Sequence, residues 1–238
     1  MKDQFFADRN DYFKYDLMIS LSEGLSGIHR FTFVPMLTPN DSTNHGNQKQ
    51  YPPGNRRADL YSFLQECLRT SSRDITKLRE FFGSHSYPFV YCPYADDIFF
   101  TVAERMRYFA GIPGILLENA VIFLDPDTGL QVKHMGRERA EYVLYDDVKG
   151  IYARMGDSSI LAIYEDVSYG QQEHKLVQMP KHLQSTLGCP CPCAIGEDNK
   201  IAFITIAKSP HRSAEVSALL RSYKQQHPTL LIWDQEAG

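Results

Sequence analysis

The sequence lacks the glycine patterns on which several large enzyme classes depend. None of its fifteen glycines belongs to a Gly-x-Gly pair, and no glycine directly precedes a lysine. Dinucleotide-binding and phosphate-loop proteins are therefore excluded, because both need such glycines to bring backbone N–H groups close to phosphate. The His-Glu-x-x-His motif of zinc proteases and the Gly-x-Ser-x-Gly motif of serine hydrolases are absent as well, which argues against these two classes.

Long apolar runs are also missing. The most apolar stretch, 114–124, is interrupted by Glu118 and Asn119, whereas a membrane span needs about 18 consecutive apolar residues. The first residues turn acidic at once and contain no apolar core of a signal peptide. The five cysteines are an odd number, which favours reduced thiols over a disulfide framework. We therefore expect a cytoplasmic protein without a membrane partner.

Positive charge is not in excess. The chain has 25 Lys and Arg residues against 29 Asp and Glu residues, a formal net charge of −4, and neither half is basic. Charge alone therefore does not indicate a nucleic-acid partner, and the sequence indicates no oligomeric state. One cationic series remains open as a basic face, although a solvated helix face is the simpler interpretation; its members are Arg56, Arg57, Arg69, Arg73, Lys77 and Arg79.

The order of predicted elements indicates a single α/β domain of 238 residues. Apolar, β-branched runs predict strands at 29–37, 87–94, 120–125, 159–164, 201–207 and 229–233. Helical spacing predicts helices at 11–25, 58–69, 72–82, 97–109, 140–154, 171–187 and 213–226, with Ser72 as an N-cap. Strands that alternate with helices form crossover units, so we expect a Rossmann-like three-layer sandwich with a mainly parallel sheet. A polar loop at 40–57 is long enough to be functional.

The segment Asp125-Pro126-Asp127-Thr128-Gly129 contains the strongest candidate site. It follows the clearest strand, and in parallel sheets ligands bind beyond the carboxyl ends of the strands. A simple turn is the alternative, because Asp-Pro-Asp-x-Gly is good turn chemistry. The same rule selects three further strand ends: 38–41, which includes Asn40 and Asp41, then Glu165 and Asp166, and 208–211. We expect Asp125 at an exposed rim, where its replacement leaves folding nearly intact.

This segment resembles the Asp-Pro-Pro-aromatic motif of class I S-adenosylmethionine-dependent methyltransferases of the adenine-N6 kind. Asp127 stands in place of the second proline and Thr128 in place of the aromatic residue. The resemblance implies a methyltransferase-like enzyme that binds S-adenosylmethionine and modifies an amine of a nucleotide or nucleic acid. Asp125 would accept a hydrogen bond from that amine, and Pro126, Asp127, Thr128 and Glu165 would shape the substrate pocket.

Two further segments extend this resemblance. The opening run Asn10-Asp11-Tyr-Phe-Lys14 is similar to the Asp-x-x-Lys helix that opens some ribosomal RNA adenine-N6 methyltransferases. It implies that Lys14 points into the site, whereas a surface lysine beside Asp11 is the alternative. Asp41 and Asn40, after the first strand, would then contact the cofactor, although this loop lacks the glycines that are usual in the family.

Three other interpretations remain open. The pair Asp125 and Asp127 also resembles the first motif of haloacid-dehalogenase-like phosphatases and pieces of restriction-type nucleases, which predicts a phosphoester hydrolase that uses Mg²⁺, with Glu165 or Asp166 as a third ligand. The second interpretation is a non-catalytic binding module on a degenerate methyltransferase-like fold. The third is a thiolate metal site of Cys189, Cys191, Cys193 and His182, for which an irregular loop is the alternative.

Overall fold

The computed structural model describes residues 1–41, 50–132, 139–167, 173–197 and 200–233. Within these ranges the strands are β1 Arg30–Pro35, β2 Val90–Pro93, β3 Ala120–Asp125, β4 Gly129–Leu130, β5 Tyr142–Val143, β6 Ile160–Asp166, β7 Cys193–Glu197, β8 Ile201–Ala207 and β9 Leu230–Trp233. The α-helices are α1 Arg9–Gly24, α2 Ala58–Arg69, α3 Leu78–Ser84, α4 Arg105–Ala110, α5 Tyr145–Arg154, α6 Met179–Leu187 and α7 Pro210–Gln226. Short 3₁₀ turns lie at Asp3–Phe5, Ile75–Lys77, Gly114–Leu117 and Arg139–Glu141, and a π-helical turn at His174–Gln178 precedes α6.

Seven strands form one sheet in the order β2-β1-β3-β6-β8-β7-β9. The first four of these run parallel to one another. β8 then pairs antiparallel with β6, and β7 and β9 continue with antiparallel pairing. Five of the seven strands therefore point in one direction, which confirms the predicted α/β, Rossmann-like sheet. β4 and β5 form a separate parallel pair beside the end of β3.

Helices cover both faces of the sheet. Phe31, Phe33 and Phe123 pack on one face against α1, α2, α3 and α7. Ile122 and Leu124 pack on the other face against α4, α5 and α6. Successive side chains of a strand point to opposite faces, so a sheet that is covered on both needs continuous apolar runs rather than alternation. This is why β3 and β8 are apolar through most of their length, and both are buried at every residue.

The beginning of α1 is held by a side-chain cap. The Asp8 carboxylate accepts hydrogen bonds from the backbone N–H groups of Asn10 (2.8 Å) and Asp11 (3.1 Å). An N-cap of this kind satisfies N–H groups that the first turn of a helix leaves without partners. The cap therefore starts the helix two residues before the predicted position and sets the direction in which its first side chains point.

Several predicted elements differ from the observed ones. Strand β7 was not predicted, because it is short and begins at the last cysteine of the Cys-Pro-Cys-Pro-Cys run. The predicted N-cap at Ser72 is wrong, since Asp74 caps a 3₁₀ turn there, with its carboxylate accepting from Thr76 N. Of the helix predicted at 97–109, only the part that belongs to α4 is α-helical. The helix predicted at 140–154 begins later than expected, at Tyr145.

Part of the predicted polar loop at 40–57 lies outside the described residues, and its described end leads into α2 at the predicted position. The start of the predicted helix at 171–187 also lies outside them. Across the ranges that the structure describes, no helix combines the length and the apolar character that a membrane crossing requires.

Candidate active site

The carboxyl ends of β1, β3 and β6 meet at one edge of the sheet. Pro35 at the end of β1 pairs with Asp125 at the end of β3, and Leu124 pairs with Ile163 of β6. Asp125 is therefore placed where the strand-end rule predicts a site. Val121, Phe123 and Asp125 are every second residue of β3, so their side chains point to the same face of the sheet. This is the face that α1 covers.

A buried ion pair joins α1 to this strand end. Lys14 Nζ donates to both carboxylate oxygens of Asp125, at 3.0 and 3.2 Å, and lies 4.2 Å from the centre of the Tyr164 ring. Burial lowers the pKa of Lys14, but the charges of Asp125 and Asp11 outweigh burial and hold it well above its usual value. The ammonium is therefore charged wherever the fold is intact, and the predicted inward direction of Lys14 is found in the structure.

The expectation of an exposed rim position for Asp125 is wrong. Its exposed fraction is 0%, and it is not among the residues that line the neighbouring cavity. Lys14 and Tyr164 line that cavity instead. Because a carboxylate without solvent depends on its partner for stability, Asp125 is part of the folded core as well as of the site.

Asp11 is the residue of this cluster that the sequence analysis left without a role. It lies one helical turn before Lys14, with Oδ1 3.2 Å from Lys14 Nζ, and its other oxygen accepts from Ala7 N at 3.0 Å. Oδ1 is buried, and the Lys14 ammonium is its close partner in the described part of the chain. Burial raises the pKa of Asp11 to about 7. The signal for Asp11 was its i,i+3 spacing to Lys14, which puts both side chains on one face of the helix.

A cavity of about 190 Å³ opens beside this cluster. Carboxylates dominate its charged lining, and Lys14 is the one lysine among the lining residues of the described chain. Such a surface attracts cations and amines and repels phosphate. The lining consists of Met1, Phe5, Asp8, Asn10, Asp11, Lys14, Pro126, Asp127, Tyr164 and Asp166.

Asp127 lies at the far side of this cavity and is engaged by the first residues of the chain. Lys2 Nζ is 2.5 Å from its Oδ2, and the Thr38 hydroxyl donates to the same oxygen at 3.4 Å. Pro126 lines the cavity as predicted. Thr128 is held through its backbone, which donates to Glu141 O at 2.9 Å, and does not line the cavity.

The residues that the resemblance assigns to a cofactor contact another part of their own chain. Gln4 Nε2 donates to Asp41 Oδ1 at 2.9 Å, and Asp41 N donates to Gln4 Oε1 at 2.7 Å. Lys2 Nζ lies 3.2 Å from Asp41 Oδ2, and Gln4 N donates to Asn40 Oδ1 at 3.0 Å. We call residues 1–5 the strap, because this segment covers the end of β1.

These contacts test the fit of S-adenosylmethionine. The strap takes the hydrogen-bonding groups of Asn40 and Asp41, and the adjacent cavity is smaller than the roughly 300–1,000 Å³ of most small-molecule sites. In this arrangement the residues do not fit the cofactor, and we derive no step that uses it.

Glu165 lies at the same strand end but points to the opposite face of the sheet. Its Oε1 accepts from Leu130 N at 2.6 Å, and Lys175 Nζ lies 3.3 Å from its Oε2. Burial raises the pKa of Glu165 to about 7. Its carboxylate rests against Gly129, whose φ of +134° and close contact leave no room for a side chain. Glu165 therefore does not line the acidic cavity and forms a second buried lysine–carboxylate pair.

Metal ligands are not assembled in the described ranges. Among those residues, no group of three or more His, Cys, Asp or Glu side chains is arranged to hold a metal ion. This search covers the proposed Mg²⁺ ligands Asp125 and Asp127 and the three cysteines of the Cys-Pro-Cys-Pro-Cys run. Of those cysteines, Cys189 and Cys193 are buried and Cys193 begins β7.

No protein-family model matches this chain, and no curated protein matches it in sequence. The functional conclusion therefore depends on the geometry of the acidic cavity.

Proposed function

We propose that this protein is an enzyme that binds an amine in the acidic cavity and removes a proton from it with Asp11. The observation that carries this proposal is the buried Asp11 carboxylate, which lines the cavity and has the Lys14 ammonium 3.2 Å from its Oδ1. A carboxylate accepts several hydrogen bonds, so an amine N–H in the cavity can add a donor to the one that Lys14 supplies.

The charge of the cavity supports an amine over an anion. Five aspartates surround it or lie directly behind it, whereas Lys14 and Lys2 are the lysines that contact them in the described structure. Both lysines are already paired with these carboxylates. An ammonium group gains from the negative excess, and an anionic ligand would meet repulsion.

The protonation behaviour of Asp11 supports catalysis as well as binding. An amine that attacks an electrophile must lose a proton, and a base works best when its pKa lies near the working pH. Burial raises the pKa of Asp11 to about 7. Lys14 pairs with Asp125 and also lies against the Asp11 carboxylate. Lys14 and Asp125 therefore act as positioning residues for Asp11.

Methyl transfer to the amine of a nucleotide or nucleic acid is the reaction that the resemblance predicts, and it stays a prediction. The position of Asp125 at the end of a central strand agrees with it, whereas the burial of Asp125 outside the cavity and the contacts of the strap with Asn40 and Asp41 do not. A second candidate, the non-catalytic binding module, is favoured by the strap, which takes the groups of Asn40 and Asp41.

The binding test uses n-propylammonium as the probe and n-propanol as a matched molecule without the amine, followed by saturation-transfer NMR. We expect propylammonium to bind and propanol not to bind. The affinity should rise as the pH rises through about 7, because Asp11 then becomes charged. Asp11→Asn should weaken binding roughly tenfold or more and remove this pH dependence. Equal binding by both probes, or by both proteins, would refute the proposal.

Thermal melting with S-adenosylmethionine separates the two candidates. A transferase requires a rise in melting temperature that Asp41→Ala changes, because a ligand that binds only the folded state stabilises it. A binding module predicts no rise with this compound while propylammonium still binds.

A further inference from the structure

A second cavity lies on the other side of the first turn of α1. Its volume is about 390 Å³, within the range of small-molecule sites. Arg9 and Tyr12 line it, whereas Asp8 and Asp11 line the acidic cavity. Residues three apart share a face of a helix, so the first turn of α1 separates two chambers of different charge. Neither the predicted site nor the proposed function uses this second cavity.

The charged groups of the second cavity centre on Glu197. Arg9 Nη2 lies 2.9 Å from one of its carboxylate oxygens and Arg56 Nη2 lies 3.1 Å from the other. Lys200 Nζ approaches the same carboxylate at 3.5 Å. Three cations therefore surround one anion. Burial raises the pKa of Glu197, but these cations outweigh burial and lower it overall, so Glu197 stays ionised. Among the residues that line the cavity, Arg9 and Arg56 face this one carboxylate, so one positive charge is in excess.

Arg56 is fixed in a geometry suited to anion binding. Its guanidinium lies 4.6 Å from the centre of the Phe13 ring, and its side chain is 13% exposed. Its Nε is buried and donates no hydrogen bond to any described residue. A rigid guanidinium is the preferred protein group for phosphate, because its donors match the spacing of two phosphate oxygens.

We propose that this second cavity binds the phosphate group of a phosphate monoester. Arg9 and Arg56 give the lining a net positive charge, and guanidinium donors match the spacing of phosphate oxygens. The volume exceeds the need of a phosphate alone, and the lining includes Tyr12, Tyr51 and Pro52, so an organic group attached to the phosphate has room beside it.

The test is calorimetric titration at low ionic strength with inorganic phosphate, AMP and adenosine. We expect the chain to bind inorganic phosphate and to bind AMP more tightly than adenosine. Arg9→Gln should weaken the binding of inorganic phosphate and of AMP roughly tenfold or more. Its side chain is 38% exposed, so this variant should fold even if an Arg56 variant does not. The control is Arg107→Gln, at an 88% exposed side chain, and it should bind as the unaltered chain does.

Two outcomes overturn the phosphate site. One is the absence of phosphate and AMP binding, or equal binding by Arg9→Gln. The other is an equal loss of binding in Arg107→Gln, which would show that only the overall charge of the chain matters.

Discussion

Lys14 Nζ lies 3.0 Å from Asp125 Oδ1, although the two residues are 111 positions apart in the chain. One comes from the second turn of α1 and the other from the last position of β3. The pair connects the helix layer to the carboxyl end of the sheet and forms the floor beneath the acidic cavity. On the opposite face, Lys175 and Glu165 form a comparable pair at the end of β6.

Breaking the Lys14–Asp125 pair should destabilise the fold strongly. Lys14→Met or Asp125→Asn leaves a buried charge without its partner, and such changes cost about 3–5 kcal/mol. The double variant should cost less than the two single variants added together, because it leaves neither charge alone. Urea unfolding followed by circular dichroism measures these differences.

The matched control for this prediction is the exposed pair Arg69–Glu66, in which the two side chains are 72% and 55% exposed. Arg69→Met should change the free energy of unfolding by less than about 1 kcal/mol. If Asp125→Asn lowers the free energy of unfolding by no more than Arg69→Met does, the Lys14–Asp125 pair does not stabilise the fold.

The Glu165 carboxyl should make stability depend on pH. Burial raises its folded pKa to about 7 from the usual 4.5. Between these values the folded chain binds more protons than the unfolded chain, so stability is lost as pH rises through this window. The loss should not exceed about 1.4 kcal/mol per pH unit. Glu165→Gln should flatten this part of the curve, measured by chemical unfolding from pH 4.5 to 7.5.

Glu104→Gln serves as the control, since the Glu104 side chain is 59% exposed. It should reproduce the pH profile of the unaltered chain. A profile for Glu165→Gln that is parallel to it over the whole range would contradict the assignment.

Gly129 should tolerate no side chain. Its φ is +134°, and an added Cβ would overlap the Glu165 carboxylate. We expect Gly129→Ala to cost at least about 1–3 kcal/mol, since backbone strain and the overlap add. Gly150→Ala, inside α5 with open space around it, should instead stabilise by about 0.5–1 kcal/mol. Thermal unfolding of both variants tests this prediction. Similar melting temperatures for Gly129→Ala and Gly150→Ala would contradict it.

The strap should loosen when its contacts with Asp41 are removed. Asp41→Ala deletes the acceptor for Gln4 Nε2 and a carboxylate beside Lys2. Amide hydrogen exchange at residues 2–6 should speed up, because Gln4 loses one of the side chains that hold the strap to the end of β1. Asp157→Ala, at a side chain that is 91% exposed, should leave strap exchange unchanged. Unchanged exchange in both variants would show that Asp41 does not hold the strap.

Much of the fold followed from local patterns. The predicted bounds of β3, β8 and α2 agree with the structure because apolar runs and helical spacing are local properties. Strand β7 was not predicted, because its five residues follow prolines and depend on pairing with β8 and β9. The helix expected at 97–109 failed in its first part, where apolar residues such as Phe99 and Val102 are exposed rather than packed.

The candidate site was found only in outline. The strand-end rule located Asp125, and the Asp-x-x-Lys spacing located Lys14. Neither pattern indicated that Asp125 is shielded from the cavity, that Asp127 binds Lys2, or that Asp41 binds Gln4. These contacts join residues far apart in sequence, and no periodicity records them.

Local sequence patterns specify the layers of this protein and the chemical groups at its strand ends, because burial on both faces requires apolar runs and turns require particular residues. Which of those groups meet depends on how the helices pack on the sheet. The direction of α1 across the sheet brings Lys14 to Asp125, places Asp11 at a cavity and puts Arg9 beside Arg56 and Glu197. Ionic contacts depend on distances of a few ångströms in space, and those distances exist only once the helices have packed on the sheet.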